Sequence, residues 1–179
     1  MVAQLETPAI ALDDHPFHST IEGLVQIFTA AHRSFFTTVM AQAFRAAGQG
    51  TPVLIIQFLK GGINMGHQHP IQLCQHLDWY RCNLPRCIDT PALEIAEIQA
   101  MQDLWQHTQR MVAAGTYSLV VLDELSLALN LDLISEIEVL RLIQKRPRHI
   151  DMILTGPNMP RSLLDVADQI TELRRHIYP

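Results

Sequence analysis

Two adjacent carboxylates, Asp123 and Glu124, follow four apolar residues in the segment SLVVLDEL. A short apolar run with an acidic end is typical of a buried parallel strand whose tip reaches the ligand-binding edge of a sheet. An aspartate there can hold magnesium through oxygen, and the next glutamate can orient a nucleophile or a ribose hydroxyl. We therefore predict Asp123 as a metal ligand and Glu124 as a catalytic residue. A strand that ends in solvent with two carboxylates is the alternative.

A second segment, VQIFTAAHRSFFTT, has the setting of a phosphate-binding loop: an apolar strand, a tight loop and a helix start. In such loops glycines let backbone N–H groups approach the phosphates, and a lysine neutralises their charge. This loop has neither glycine nor lysine. Its position alone predicts a nucleotide contact by Ala30, Ala31, His32, Arg33, Ser34, Phe35, Phe36, Thr37 and Thr38.

A third group consists of histidines and cysteines, all of which are side chains that can bind zinc. Their spacing follows no strong metal-binding template such as paired CxxC motifs. Small buried cysteines are also common in cores, so both a metal site and simple packing remain open. The residues concerned are His67, His69, Cys74, His76, Cys82 and Cys87.

Alternating strand and helix patterns must position these groups. Strand-like apolar runs cover 24–29, 52–58, 118–123, 149–155 and 169–174, with a weaker run at 76–82. Helical patterns cover about 36–47, 132–145 and 160–167, and another begins at Thr90-Pro91 and ends at Gly115. Strands separated by helices predict an α/β fold in three layers, with a mostly parallel sheet flanked by helices.

Length and composition indicate one domain. The chain has 179 residues, 48% of them apolar, which suits a single core. We expect residues 1–20 to form a flexible N-terminal arm and residues 21–179 to form one α/β domain. A net charge of −5 without a basic stripe argues against nucleic-acid binding. The absence of a secretory signal or a membrane-length apolar run predicts a cytoplasmic protein without membrane contact.

Several blocks occur in an order and spacing that resemble the ATP:corrinoid adenosyltransferase family of P-loop proteins, from Gly23 to His176. They are FRAAGQG, VLIIQFLKG, YSLVVLDELSLAL, RPRHIDMILTGPN and LLDVADQITELR. The resemblance implies a P-loop NTPase-like fold, and transfer of the 5′-deoxyadenosyl group of ATP, with magnesium, to the cobalt of a reduced corrinoid. Cobalamin and cobyrinic acid a,c-diamide are the corrinoids of the family, which serves cobalamin biosynthesis and salvage. It also implies a homodimer, an arm over the active site, and Arg45 near the nucleotide.

The sequence departs from the family pattern in three segments. The family loop ends in Gly-Lys-Thr-Thr, and the two possible alignments place either Phe35 or Phe36 at the lysine. Pro157 stands where the family often has an arginine. Arg86, Cys87 and Ile88 stand where the family has aromatic residues that face the corrinoid.

Two functions remain open on this pattern. The chain is either a divergent adenosyltransferase with an altered phosphate site, or a catalytically silent homologue that serves as a corrinoid- or protein-binding or regulatory module. Lysine-to-phenylalanine replacement removes a charge-assisted bond to a polyanion, which costs roughly 2–5 kcal/mol when the pair is buried. ATP use is the property that separates the two hypotheses.

Overall fold

A seven-stranded sheet forms the centre of the part of the protein that the structure describes. The computed structural model describes residues 22–61, 71–73 and 75–174. The strand order is β3-β4-β2-β5-β6-β1-β7, and every neighbouring pair is parallel except β3 with β4. The strands are β1 Val25–Ala30, β2 Val53–Gln57, β3 Ile71–Leu73, β4 Leu77–Arg81, β5 Leu119–Asp123, β6 Asp151–Pro157 and β7 Gln169–Leu173.

Helices cover both faces of this sheet, so the fold has three layers with the sheet in the middle. They are α1 Thr37–Gly48, α2 Ile95–Ala114, α3 Leu125–Asn130, α4 Glu136–Lys145 and α5 Arg161–Leu164. Alternate residues of β2 face opposite ways, since Val53 and Ile55 join the α1 cluster while Leu54 and Ile56 join the larger cluster with the other helices. The predicted three-layer α/β fold with a mostly parallel sheet is confirmed.

The predicted strands match the observed ones closely because buried parallel strands are continuous apolar runs. All five residues of β2 and all five of β5 are buried. The β3 strand and the short helix α3, which follows the acidic pair directly, were not predicted. Helix α4 begins at Glu136, after the N-cap Ser135, rather than near residue 132.

The predicted start of α2 at Thr90-Pro91 is wrong. The helix begins at Ile95, with Glu94 as its N-cap. A capping box forms there, because the Glu94 side chain accepts from the backbone of Glu97 and the Glu97 side chain accepts from the backbone N–H of Glu94. This reciprocal pair satisfies the first free N–H groups and fixes the start of the helix. The predicted end at Gly115 is confirmed by its left-handed conformation, with φ 69°.

One expectation concerns residues that the structure does not describe. The arm of residues 1–20 lies outside the described residues, so its order remains a prediction. Within the described ranges, no helix combines the length and the apolar character needed to cross a bilayer.

Candidate functional site

Asp123 lies at the carboxyl end of the central strand β5 and is 2% exposed. The sheet register pairs it with Gln57, the last residue of β2. Its Oδ2 accepts hydrogen bonds from Gln57 Nε2 at 2.7 Å and from Lys60 Nζ at 3.0 Å, and its Oδ1 accepts one from Thr155 Oγ1 at 2.7 Å. Three protein donors, one of them cationic, therefore already bind this carboxylate.

Glu124 leaves the strand in a left-handed conformation, with φ 60°, and caps helix α3. Its side chain accepts two hydrogen bonds from Arg33, one from Nε and one from a terminal nitrogen, each at 2.7 Å. Arg33 also donates to the carbonyl oxygen of Ile88 at 2.9 Å. The bonds to Glu124 raise the pKa of Arg33. This fork geometry is the strongest form of an arginine–carboxylate pair, and it connects loop 30–36 to the acidic tip.

The two loop phenylalanines occupy different environments. Phe36 is buried, and its ring packs edge-on against Phe28 with 6.3 Å between centroids. Phe35 is 55% exposed, and the ammonium of Lys60 lies over its ring, 4.6 Å from the centroid. A cation above an aromatic face is held by the ring quadrupole. Lys60 thus bridges the Phe35 ring and the Asp123 carboxylate.

The backbone of residues 30–38 differs from a phosphate-binding nest. Such a nest alternates right- and left-handed residues so that successive N–H groups converge on an anion. None of these nine residues, all of which the structure describes, has a positive φ. The N–H of Thr37 donates to the Phe35 carbonyl at 3.1 Å. An open cleft of about 450 Å³ lies beside the loop, lined by Ala30, Ala31, His32, Ser34, Glu172, Leu173 and Arg174.

The other predicted contacts lie farther out. Arg45 is exposed in the last turn of α1, about 12 Å along the helix axis from its first residue. Arg86 forms a forked pair with Glu97 of α2, at 2.8 and 2.9 Å, while Ile88 is buried and Cys87 is exposed. The structure therefore gathers Arg33, Asp123 and Glu124 into one cluster and leaves Arg45 outside it.

The histidine and cysteine group is only partly described. His67, His69 and Cys74 lie outside the described residues. Among the residues that are described, no three His, Cys, Asp or Glu side chains converge as a metal site would require. Burial raises the pKa of Cys82 to about 12.

Sequence reasoning missed two residues that orient Asp123. Gln57 is 1% exposed and Thr155 is fully buried. Thr155 Oγ1 also accepts from the backbone N–H of Glu124 at 3.0 Å, so one hydroxyl fixes both acidic residues. The sequence contained a signal for both residues, because Gln57 and Thr155 are polar residues within or at the end of the apolar runs VLIIQF and MILT. A polar side chain that is buried with such a run needs a hydrogen-bond partner.

The parallel α/β sheet, its flanking helices and the acidic tip of its central strand are consistent with the P-loop NTPase-like class of proteins. Residues 21–179 match the family described as ATP:corrinoid adenosyltransferase BtuR/CobO/CobP. The chain belongs to this family, which confirms the resemblance inferred from the sequence blocks.

Individual relatives agree with this assignment. The chain is 29% identical over 160 residues to the corrinoid adenosyltransferase of Escherichia coli (strain K12), covering 85% of this chain and 76% of the relative. It is 30% identical, with the same coverage, to corrinoid adenosyltransferase CobA of Salmonella typhimurium. The corrinoid adenosyltransferase of Sinorhizobium sp. is 26% identical over 88% of this chain and 75% of its own length.

Proposed function

We propose that this chain is a catalytically silent member of the corrinoid adenosyltransferase family, which binds a corrinoid or a protein partner and does not use ATP. The observation that carries the proposal is that both residues of the acidic pair, Asp123 and Glu124, already form ion pairs within the chain. Asp123 is bonded to Lys60, and Glu124 is bonded to Arg33. Both carboxylates that magnesium and nucleotide chemistry would need are therefore neutralised by the chain itself.

A magnesium ion fits this arrangement poorly. Mg²⁺ needs near-octahedral oxygen ligands at about 2.0–2.1 Å. The Lys60 ammonium, 3.0 Å from Asp123 Oδ2, places a like charge where the ion would approach. Gln57 and Thr155 bind the same carboxylate. Binding the ion at Asp123 would require this cation to leave, and the energy of that displacement opposes the metal.

A triphosphate also fits poorly in the loop of residues 30–38. Residues 30–38 have neither a glycine nor a positive φ, so their backbone lacks the alternation that a phosphate nest requires. Arg33, the cation within the loop, is already bonded to Glu124 through two nitrogens. His32 is exposed beside the neighbouring cleft. These features support a degenerate phosphate site.

The remaining expectations belong to this proposal. Family membership supports a small-molecule ligand, a homodimer, and an arm of residues 1–20 followed by one domain. A net charge of −5 supports the absence of a nucleic-acid partner, and a cytoplasmic location remains an expectation.

An active adenosyltransferase is the second candidate, favoured by one observation. The Asp123-Glu124 pair still stands at the carboxyl end of the central strand, where ligands bind in folds of this type. In that case Glu124 would orient a reacting group after Arg33 released it. The two candidates differ in whether a reduced corrinoid is adenosylated.

Incubation with MgATP and a reduced corrinoid, followed through the corrinoid absorption spectrum, tests the proposal. We expect no conversion above the protein-free control, because both carboxylates are paired and the loop offers no cradle. The Escherichia coli relative, assayed in parallel, verifies the reagents. Conversion by this chain that is lost in a Glu124→Gln variant would contradict the proposal and establish the second candidate.

A further inference from the structure

A row of polar side chains crosses the carboxyl edge of the sheet. The register pairs Arg81 of β4 with Gln57 of β2, and Gln57 with Asp123 of β5. The Gln57 amide donates to Asp123, and its oxygen accepts from Arg81 Nε at 2.7 Å and from Trp79 Nε1 at 2.9 Å. The buried amide therefore links the acidic centre to a cation and an indole on the next strand.

Arg81 is held from two sides. Gln57 fixes its Nε, and its guanidinium lies over the Trp79 ring, with 5.4 Å between the guanidinium carbon and the ring centroid. Its two terminal nitrogens have no acceptor among the residues that the structure describes. Arg81 is only partly buried. A fixed guanidinium with free terminal N–H groups at a partly open edge has already lost the freedom that ligand binding would otherwise cost.

Among the described residues bonded to Gln57 or Asp123, the charged side chains leave an excess of one positive unit. Lys60 and Arg81 lie on either side of the Gln57–Asp123 pair, and Asp123 is the one carboxylate bonded within this group. Glu124 does not compensate, because Arg33 already neutralises it. Attraction for an anion follows from this imbalance, in which Lys60, with a side chain 19% exposed, is already counted.

We propose that the terminal nitrogens of Arg81 bind an oxyanion, a carboxylate or a phosphate group carried by a ligand, while Lys60 offsets the charge of the neighbouring Asp123. The guanidinium fork matches two oxygens of either group, which a point charge does not. The Trp79 ring forms one wall, and it packs against Phe44 of α1. The fork itself belongs to Arg81 of β4, outside loop 30–38, although Lys60 also lies over the Phe35 ring of that loop. The site therefore goes beyond the proposed function and does not require that ATP be used.

Titration with inorganic phosphate, and separately with acetate, tests the proposal at constant ionic strength. The readout is the indole N–H signal of Trp79 in a ¹⁵N–¹H spectrum, since that group shares the Gln57 oxygen with Arg81. The chain has two tryptophans, and a Trp105→Phe variant assigns the signals. We expect a saturable shift with phosphate, acetate or both, and the stronger of the two identifies the oxyanion.

Substitutions of Arg81 distinguish the effect of its forked guanidinium from the effect of its positive charge alone. An Arg81→Met variant is expected to weaken binding about 10-fold or more, since a charge-assisted bond is lost. Arg81→Lys keeps the charge and should recover only part of the affinity. Arg110→Met removes an exposed arginine of α2 that has no part in either site, and it should change nothing. Equal binding by wild type and Arg81→Met, or no saturation in the wild type up to about 50 mM anion, would overturn the proposal.

Discussion

Restoring glycines and a lysine to the loop is expected to raise the affinity for MgATP by about 10²-fold or more. The variant carries Ala30→Gly, His32→Gly, Ser34→Gly and Phe35→Lys, and isothermal titration calorimetry measures the result. The glycines allow the left-handed residues that a phosphate nest requires. The lysine supplies a charge-assisted bond worth roughly 2–5 kcal/mol when buried, at about 1.4 kcal/mol per decade of affinity.

The choice of Phe35 rather than Phe36 follows from their burial. Phe35 is 55% exposed, whereas Phe36 is buried against Phe28. A lysine in place of Phe36 would lose this ring contact and would bury an ammonium, which is costly unless the charge is paired. A matched control carries the same three glycines with Phe35→Met, which removes the ring without adding charge. Equal MgATP affinity of the lysine and methionine variants would contradict the claim that the missing cation limits binding.

Breaking the pair between Arg33 and Glu124 is expected to lower the free energy of unfolding by about 2 kcal/mol. Arg33→Met removes both hydrogen bonds and leaves the charge of Glu124, 4% exposed, without its partner. Removing one partner of a fully buried pair costs about 3–5 kcal/mol. The Arg33 side chain is 36% exposed, so water screens part of this cost. The expected fall in Tm is about 4–8 °C.

A double-mutant cycle isolates the pair from the packing of the arginine stem. Glu124→Gln combined with Arg33→Met should be less destabilised than the sum of the single variants, with a coupling of about 1–2 kcal/mol. Arg110→Met provides the matched control, because Arg110 is exposed on α2 and, within the part of the chain that the structure describes, donates only one long bond, to the Gln106 carbonyl at 3.4 Å. A coupling below about 0.3 kcal/mol would show that the pair does not hold the loop against the acidic tip.

The sheet could be predicted because each strand is formed by one contiguous apolar run of the sequence. VLIIQ and LVVLD are buried along their whole length, and continuous apolar runs of this length between helices indicate parallel strands. The start of α2 was predicted wrongly because of interactions among residues that lie close to it in the sequence. Thr90-Pro91 has the composition of a helix start, but the Glu94–Glu97 capping box and the Arg86 pair stabilise a later one.

The site could be predicted only in part. The tip position of Asp123 and Glu124 follows from their strand, but their partners do not. Arg33 is 91 residues from Glu124 and Lys60 is 63 residues from Asp123, so no local pattern connects them. Once the sheet brings β2 and β5 together, desolvation favours an opposite charge beside each buried carboxylate. The self-neutralised centre is therefore a property of the folded chain.

Calorimetric titration of the unaltered chain with MgATP tests the central claim most directly, namely that residues 30–38 and the paired carboxylates do not accept a triphosphate. We predict no binding with a Kd below about 1 mM in low-salt buffer, whether or not a corrinoid is present. A one-to-one isotherm in the micromolar range that disappears in the Glu124→Gln variant would contradict the account, since it would place the nucleotide at the acidic tip.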